Sequence, residues 1–222
     1  MYVKIGDYRV RLNEGRALRY IHAHTSGVPV PIVVDNFTYD GTTFLVMSRM
    51  PGYPLDALYH QITPDVERLL SAQLHLSSFD GGPVRCARVR FDAEPAGPWQ
   101  SVDEFHEAII YRTGGLNIPE NVDAAAVHDV IRRAHARKHR VCLTHNDLGA
   151  HNILVDENWN ITGIVDWEAA AWMPEYWELT KGTFLPKYRQ HRWFRIMSAA
   201  FPMYTLEQKA EQLIIQYRQC YA

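Results

Sequence analysis

The spacing of apolar residues changes from strand-like to helical within the first 24 residues. Residues 2–5 are mostly apolar, and Tyr8, Val10 and Leu12 alternate with polar residues, so both segments are predicted to be short strands. Residues 13–24 carry apolar side chains at the three- and four-residue spacing of a helix face. The chain is therefore predicted to open with strands followed by a helix.

A hairpin is predicted after this helix. Residues 32–39 and 42–47 are rich in β-branched and aromatic residues, and Asp40-Gly41 between them is typical of a tight turn. Pro51-Gly52 then interrupts the strand pattern. Residues 1–50 are therefore predicted to form a small part of mixed α and β structure.

The remainder of the chain, residues 51–222, is predicted to be mainly helical. Helical spacing recurs in six segments: residues 55–60, 64–76, 102–111, 122–139, 176–181 and 206–221. Thr63 and Pro64 suit the cap and first turn of the second segment. Residues 79–100 are rich in glycine and proline, which predicts a long ordered loop. The predicted fold class is α+β.

Composition excludes several classes of partner and site. The 222 residues are 47% hydrophobic and carry a net charge of −2, so the chain has no general attraction for nucleic acid or anionic membranes. No apolar run approaches the roughly 18 residues of a membrane span. Cys86, Cys142 and Cys220 are too widely spaced for a CxxC metal site and are odd in number, which favours a reducing, cytoplasmic location.

The segment Leu143–Glu168 is predicted to form a strand, a loop and a hairpin. Residues 153–155 and 161–165 are apolar and flank a polar turn at residues 156–160. Because the two strands of a hairpin bring their outer ends together, the polar residues at those ends are expected to converge.

Three polar residues of this segment suit a divalent cation and a base. Asp147 and Asn152 lie five positions apart across the loop, and Asp166 follows fourteen positions later, after the hairpin. Mg²⁺ prefers one or two protein oxygens together with substrate phosphates. An amide and one carboxylate can hold the ion while the other carboxylate stays available as a base.

These residues carry a resemblance to a known family. The loop HNDLGAHN, residues 145–152, resembles the HxDxxxxN catalytic loop of kinase-like phosphotransferases, and IVDWE, residues 164–168, resembles the metal-binding segment of the aminoglycoside phosphotransferase and choline kinase branch. GPWQSVDEFH and MPEYWEL are similar to stretches common in fungal members. The resemblance implies a protein-kinase-like two-lobe fold with an abbreviated N-terminal β-lobe, residues 1–50, and a mainly helical C-terminal lobe, residues 51–222.

The resemblance also implies a reaction. Asp147 would accept or orient the proton of an acceptor hydroxyl, and Asn152 and Asp166 would bind Mg²⁺ on ATP. The acceptor would be a small molecule that could bear an amine. The expected activity is ATP-dependent phosphorylation of its hydroxyl group.

Four further residues match the nucleotide side of the family. Lys4 resembles the strand lysine that contacts nucleotide phosphates, and Glu14 resembles the helix glutamate that pairs with it. Residues 44–52 resemble the segment that connects the two lobes. The backbone of Ser48 and Met50 would then meet the adenine edge.

The start of the chain departs from the family pattern. Only three residues precede Lys4, and no GxGxxG phosphate loop is present in the sequence. One alternative is therefore a catalytically inactive, kinase-like remnant that acts as a binding protein. The strand that carries Lys4 would also have an exposed edge, which could pair with a second copy of the chain.

A second alternative is a transition-metal hydrolase with His145, Asp147 and His151 as ligands. This hypothesis leaves Asn152 and the IVDWE segment without a role. A protein kinase fits less well than a small-molecule kinase, because only nine positions separate Asp166 from the end of Met-Pro-Glu at residues 173–175, too few for an activation segment.

Aromatic and acidic residues cluster after the predicted hairpin. They could receive an amine through carboxylates or cation–π contacts, or the aromatic rings could fill the core of the helical lobe. The residues concerned are Trp167, Trp172, Tyr176 and Trp177 with Glu168, Glu175 and Glu178. A core role is the commoner one for such rings.

Overall fold

The computed structural model describes residues 1–6, 8–73, 98–112, 115–184 and 187–218. Most of the loop predicted over residues 79–100 lies outside these ranges. None of the helices described is both long enough and apolar enough to cross a membrane.

The N-terminal lobe is a three-stranded antiparallel sheet with one helix. It contains β1 (Tyr2–Gly6), α1 (Tyr8–His24), β2 (Val33–Tyr39) and β3 (Thr42–Met47). The strand order is β1-β3-β2, so β1 forms an edge among the strands described. The predicted strand, helix and hairpin are therefore confirmed in order.

The strand predicted for Tyr8, Val10 and Leu12 is wrong, because α1 already begins at Tyr8. Positions 8 and 12 lie about one helical turn apart, so a short alternation of this kind is also compatible with a helix. The helical spacing of the residues that follow extends over more positions and decides the conformation.

Helix α1 packs closely against the sheet at Gly15. A methyl group at this position would lie 2.1 Å from Asn36 Nδ2 and 3.3 Å from Leu45 Cδ1. Next to it, Ala17, Leu18 and Leu45 are fully buried. This close approach presses the N-terminal half of α1, including Glu14, against the strands.

The C-terminal lobe is mainly helical and contains two small sheets. Its helices are α2 (Pro64–Gln73), α3 (Val102–Arg112), α4 (Ala124–His135), α5 (Trp177–Gly182), α6 (Lys187–Ala200) and α7 (Thr205–Tyr217). Its strands are β4 (Tyr53–Pro54), β5 (Val141–Thr144), β6 (Ile153–Val155), β7 (Ile161–Ile164) and β8 (Ala171–Pro174). Short 3₁₀ helices lie at Leu55–Gln61, Ala150–Asn152, Trp167–Ala169 and Pro202–Tyr204.

Most predicted helices of this lobe are confirmed in place. The segment at residues 55–60 forms a 3₁₀ helix, and Thr63 Oγ1 accepts a hydrogen bond from Val66 N at the start of α2. The hairpin predicted after the catalytic loop is β6 and β7, which join β4 in the order β4-β6-β7. Strands β5 and β8 pair separately, and β8 follows the segment of Asp166.

The two lobes share a hydrophobic core. One buried cluster includes Leu18 and Leu45 from the N-terminal lobe with Leu55, Ile153 and Trp167 from the C-terminal lobe. Ile164 N also donates to Pro29 O at 2.7 Å, which joins β7 to the segment before β2. The division at residue 50 stays a prediction, but the mixed architecture confirms the predicted α+β class.

Candidate active site

The loop between β5 and β6 is held by the buried side chain of Asn146. Its backbone has a positive φ of 62°, which asparagine tolerates better than most residues. Asn146 Oδ1 accepts from Trp177 Nε1 at 2.8 Å, and Asn146 Nδ2 donates to Ala169 O at 3.0 Å. The loop is therefore attached to both α5 and the segment that follows Asp166.

His145 has a structural role in this loop. Its buried ring donates from Nε2 to Val165 O at 2.8 Å and accepts at Nδ1 from Asp147 N at 3.3 Å. Burial lowers the pKa of His145 to about 4, so the ring is neutral at pH 7. Because a carbonyl only accepts and an amide only donates, these two partners define the tautomer.

The contacts of His145 argue against the hydrolase alternative. Both ring nitrogens are engaged by backbone groups, so neither is left to bind a transition metal. Among the residues described, the acidic and histidine cluster that could hold a cation contains Glu14, Asp166 and Glu168, with no histidine.

Glu178 supports the loop from α5. The carboxylate is buried, and its Oε2 accepts from His145 N at 2.5 Å and from Asn146 N at 3.4 Å. Burial raises the pKa of Glu178 to about 7, against the opposing effect of the backbone donors. Glu178 therefore orients the loop and does not face an acceptor, which corrects the amine-binding role considered from sequence.

The other members of that cluster are also mostly engaged within the fold. Trp167, Tyr176 and Trp177 are buried, so the core role is correct for these three rings. Glu175 Oε2 accepts from Arg140 Nε at 2.9 Å. Of the three glutamates, only Glu168 remains close to the candidate metal site.

Asp147 projects toward solvent beside a buried lysine. Its side chain is 53% exposed, and Oδ1 accepts from Lys181 Nζ at 3.1 Å. Lys181 belongs to α5 and is 4% exposed. A half-exposed carboxylate in a loop that is held by buried contacts is accessible to an acceptor hydroxyl.

The hairpin places Asn152 and Asp166 beside each other. Val165 N donates to Asn152 O at 2.9 Å, which joins the two strand ends immediately before Asp166. The Asn152 side chain donates from Nδ2 to Asp147 O at 3.0 Å. This bond assigns the amide nitrogen to the loop, so Oδ1 is the atom that Asn152 can offer to a cation.

Lys4 and Glu14 meet Asp166 across the lobes. Lys4 Nζ donates to the two carboxylate oxygens of Glu14 at 2.9 and 3.0 Å and also contacts Asp166 Oδ1. Burial lowers the pKa of Lys4, but the two carboxylates raise it to above its usual value. Lys4 is therefore charged, and the structure brings together these three residues.

The carboxylates around Lys4 form an oxygen-rich corner. One oxygen each of Glu14, Asp166 and Glu168 lies within 4.8 Å of the others. Asn13 Nδ2 donates to Glu168 O and Ala170 O at 3.2 Å each, which attaches α1 to this corner. The carboxylate oxygens of this corner are hard ligands, and they fit Mg²⁺ better than a soft transition metal.

The connecting segment lies against β2 and β7. Ser48 N donates to Ile32 O at 2.8 Å, and Ser48 Oγ accepts from Ile32 N at 2.8 Å. The backbone N–H of Ser48 is therefore already bonded, and the backbone carbonyl oxygen is the group that Ser48 can offer to a nucleotide. Met50 lies over Gly163, where a methyl group would be 3.0 Å from Met50 Cβ. Adenine contacts at Ser48 and Met50 stay predictions.

Sequence reasoning missed two residues that shape this site, Asn13 and Lys181, and it also missed the loop-binding role of Glu178. Asn13 directly precedes Glu14, and Glu178 lies three positions before Lys181 on one helix. That spacing indicates a shared helix face. It does not show that the face meets the loop of Asp147, which depends on how α5 packs.

Known structures with the same fold include several aminoglycoside phosphotransferases. An aminoglycoside-3'-phosphotransferase of type VIII is 18% identical, with a TM-score of 0.55 over 96% of this chain and 83% of that chain. APH(3'')-Id from Streptomyces rimosus is 16% identical, with a TM-score of 0.51 over 97% and 86% of the respective chains. These likenesses confirm the predicted kinase-like two-lobe fold.

A third structure, the ternary complex of APH(2'')-IIa with streptomycin and ATP, is 15% identical, with a TM-score of 0.51 over 94% of this chain and 72% of that chain. No curated protein matches the chain by sequence. The sequence model of the phosphotransferase enzyme family, APH, matches residues 7–204, which is most of the chain. The chain therefore belongs to the phosphotransferase enzyme family.

Proposed function

We propose that the chain transfers the γ-phosphoryl group of ATP to a hydroxyl group of a small molecule. The observation that carries this proposal is the meeting of Lys4 and Glu14 with Asp166 beside the loop of Asp147 and Asn152. Phosphoryl transfer depends mainly on positioning and on neutralising charge. A lysine, two metal ligands and a base supply both.

On the nucleotide side, the proposal gives each residue a separate task. Lys4, oriented by Glu14, contacts phosphate oxygens. Asn152, through Oδ1, and Asp166 are the residues that would hold Mg²⁺, and the ion neutralises phosphate charge when bound. Because Lys4 contacts Asp166 in the structure, ATP phosphates must draw the ammonium away from this carboxylate.

On the acceptor side, Asp147 is the proposed base. Its carboxylate accepts the proton of the acceptor hydroxyl as the hydroxyl oxygen attacks the γ-phosphorus and ADP leaves. The exposure of Asp147 leaves room for a small molecule to approach. Streptomycin in the similar APH(2'')-IIa complex supports an acceptor that carries basic groups.

A second candidate function is that of a binding protein that keeps the family fold without transfer. The contact between Lys4 and Asp166 favours it, because the ammonium already neutralises the carboxylate that would hold the ion. The two candidates differ in whether ATP and Mg²⁺ displace Lys4 from Asp166 and phosphoryl transfer then follows.

Calorimetry with ATP and Mg²⁺ tests the proposal. We expect the parent chain to bind MgATP with a Kd between about 1 μM and 1 mM, the usual range of substrate affinity. Asp166→Asn should weaken binding at least about tenfold because one oxygen ligand loses its charge. Asp65→Asn, which removes an exposed charge from α2, is the matched control and should bind like the parent.

The same protein is then incubated with MgATP and a panel of amine-bearing alcohols, and ADP is measured. Acceptor-dependent ADP release supports transfer. MgATP binding without ADP release supports the binding protein instead. A parent chain that does not bind MgATP contradicts the proposed function.

The exposed edge of β1 supports a second copy of the chain as a partner. Val3 and Ile5 are 49% and 58% exposed, and β1 pairs only with β3 among the strands described. Unprotected edges of this kind favour strand pairing between molecules. Light scattering should then detect a dimer in the parent and a monomer in Ile5→Lys; a monomeric parent would contradict this prediction.

A further inference from the structure

Lys181 is buried beside the proposed base. Its side chain is 4% exposed, and Nζ donates to Asp147 Oδ1 at 3.1 Å. The same ammonium lies 4.8 Å from the centre of the Phe184 ring. Burial of an ammonium is costly unless it is paired. The Lys181 ammonium is paired with the Asp147 carboxylate.

Helix α5 packs closely against the loop that carries Asp147. Glu178 accepts from the backbone of His145 and Asn146. At the other end of the helix, a methyl group at Gly182 would lie 3.0 Å from Leu148 O, so the helix and the loop backbone are in close contact. Lys181 lies between these two contacts, and its position relative to Asp147 is therefore well defined.

The contact has a direct consequence for Asp147. A half-exposed aspartate can sample several side-chain conformations. Lys181 binds Oδ1 and so favours one of them, in which Oδ2 is left for a hydroxyl group. Orientation of a base toward its acceptor contributes much of the rate in reactions of this class, and a displacement of about 1 Å can cost about 100-fold.

We propose that Lys181 is a positioning residue that orients the Asp147 carboxylate toward the acceptor hydroxyl. This inference rests on the proposed function. It assigns to α5 a part in catalysis, beyond support of the loop. It differs from two other roles for Lys181, a contribution to folding alone and a direct contact with the transferred phosphoryl group.

Hydrolysis of MgATP, with water as the acceptor, tests the proposal without a known substrate. The variants are Lys181→Met, Lys181→Arg, Asp147→Asn and the double variant of Lys181→Met with Asp147→Asn. Lys209→Met, an exposed lysine of α7, is the matched control. Circular dichroism and thermal unfolding establish that each variant is folded, and Lys181→Gln replaces Lys181→Met if the latter is not.

We expect Lys181→Met to lower kcat about 10- to 100-fold, with the KM for ATP within about twofold of the parent, because only the base is displaced. Lys181→Arg should recover part of the loss, since it keeps a cationic donor. In the Asp147→Asn background, Lys181→Met should change kcat by less than about twofold, because the group on which it acts is already gone.

Three results overturn the proposal. Lys181→Met with the parent's kcat shows that the contact is not needed. Equal losses in both Asp147 backgrounds show that Lys181 acts independently of the base, through the phosphoryl group or through folding. A parent chain that neither binds nor hydrolyses MgATP contradicts the proposed function itself, whereas the first two results leave that function intact.

Discussion

Two aspartates of the candidate site are each contacted by a lysine, but from different parts of the molecule. Asp147 meets Lys181, which lies 34 positions away in the same lobe. Asp166 meets Lys4, which lies 162 positions away on β1 of the other lobe. The proposed base is therefore organised within the C-terminal lobe, whereas the proposed metal ligand depends on how the two lobes dock.

A buried glutamate accompanies each lysine, and the two glutamates act differently. Glu14 binds the Lys4 ammonium with both oxygens. Glu178 accepts instead from backbone amides of the catalytic loop, and its pKa is raised to about 7 by burial. The half of the site around Asp166 is stabilised by paired charges, and the half around Asp147 by hydrogen bonds to a loop. The two halves should respond differently to mutation.

The largest expected effect is the loss of transfer in Asp147→Asn. Asparagine keeps the size of aspartate and can still accept a bond from Lys181, but it cannot take a proton at neutral pH. General-base catalysis contributes about 10²- to 10⁴-fold, so turnover should fall by a factor in this range. ADP release at saturating MgATP measures it.

The control for this variant is nucleotide affinity. Because Asp147 is separate from the Lys4 and Asp166 contacts, calorimetry should give a Kd for MgATP within about twofold of the parent. An Asp147→Asn protein with the parent's turnover would show that this carboxylate is not the base.

The next effect is on stability and concerns the cross-lobe pair. Lys4→Met removes the ammonium from a buried Glu14, and breaking a buried pair in this way typically costs about 3 kcal/mol or more. Glu14→Gln should cost less, because the remaining Lys4 is 16% exposed and still contacts Asp166. Urea denaturation measures both.

The double variant sharpens this test. With Lys4→Met and Glu14→Gln together, no buried charge is left at position 14, so the protein should be more stable than Lys4→Met alone. A double variant whose loss equals the sum of the two single losses would show that the residues are not coupled.

A loss of similar size is expected at Glu178. Glu178→Ala leaves the amides of His145 and Asn146 without their acceptor, at about 1–3 kcal/mol for each unsatisfied buried group. Glu178→Gln keeps a carbonyl oxygen for these amides and should retain most of the stability. Glu107→Ala, an exposed glutamate of α3, is the control. Equal losses in Glu178→Ala and Glu107→Ala would refute the role of Glu178 in the loop.

The part of the site that sequence predicts well is the part that is local. Asp147, Asn152 and Asp166 lie within 20 consecutive residues, and one hairpin brings the ends of this stretch together. Short-range strand pairing can be predicted from two short apolar runs that flank a polar turn. Their proposed chemical roles stay predictions until the variants are measured.

Other features depend on tertiary packing, and sequence reasoning failed there. Glu178 resembles a surface carboxylate in the sequence but is buried because α5 packs on the catalytic loop. The short alternation from Tyr8 to Leu12 suggested a strand, yet it belongs to α1. For Glu178 the decisive contact is with a loop distant in sequence, which local patterns do not contain, whereas the Tyr8–Leu12 alternation was too short to outweigh the helical spacing of the residues that follow it.

The last expected effect is a pH dependence of stability that arises from Glu178, in the Asp147 half of the site. The pKa of Glu178 is raised to about 7 in the folded chain, from an ordinary value of 4.5. Between these values the folded state holds the proton more tightly than the unfolded state does. The contribution of Glu178 to the free energy of unfolding is therefore greatest below pH 4.5 and is lost as the pH rises through 7.

Glu178→Gln removes this titration and leaves the other groups in place. The difference in free energy of unfolding, Glu178→Gln minus parent, should therefore increase from pH 4.5 to pH 7. His145, with its pKa lowered to about 4, titrates in both proteins and cancels in the difference. Urea denaturation at several pH values measures it. A difference that stays constant with pH would show that Glu178 is ionised in the folded protein. The half of the site around Asp147 would then be stabilised by a charged group, as the half around Asp166 is.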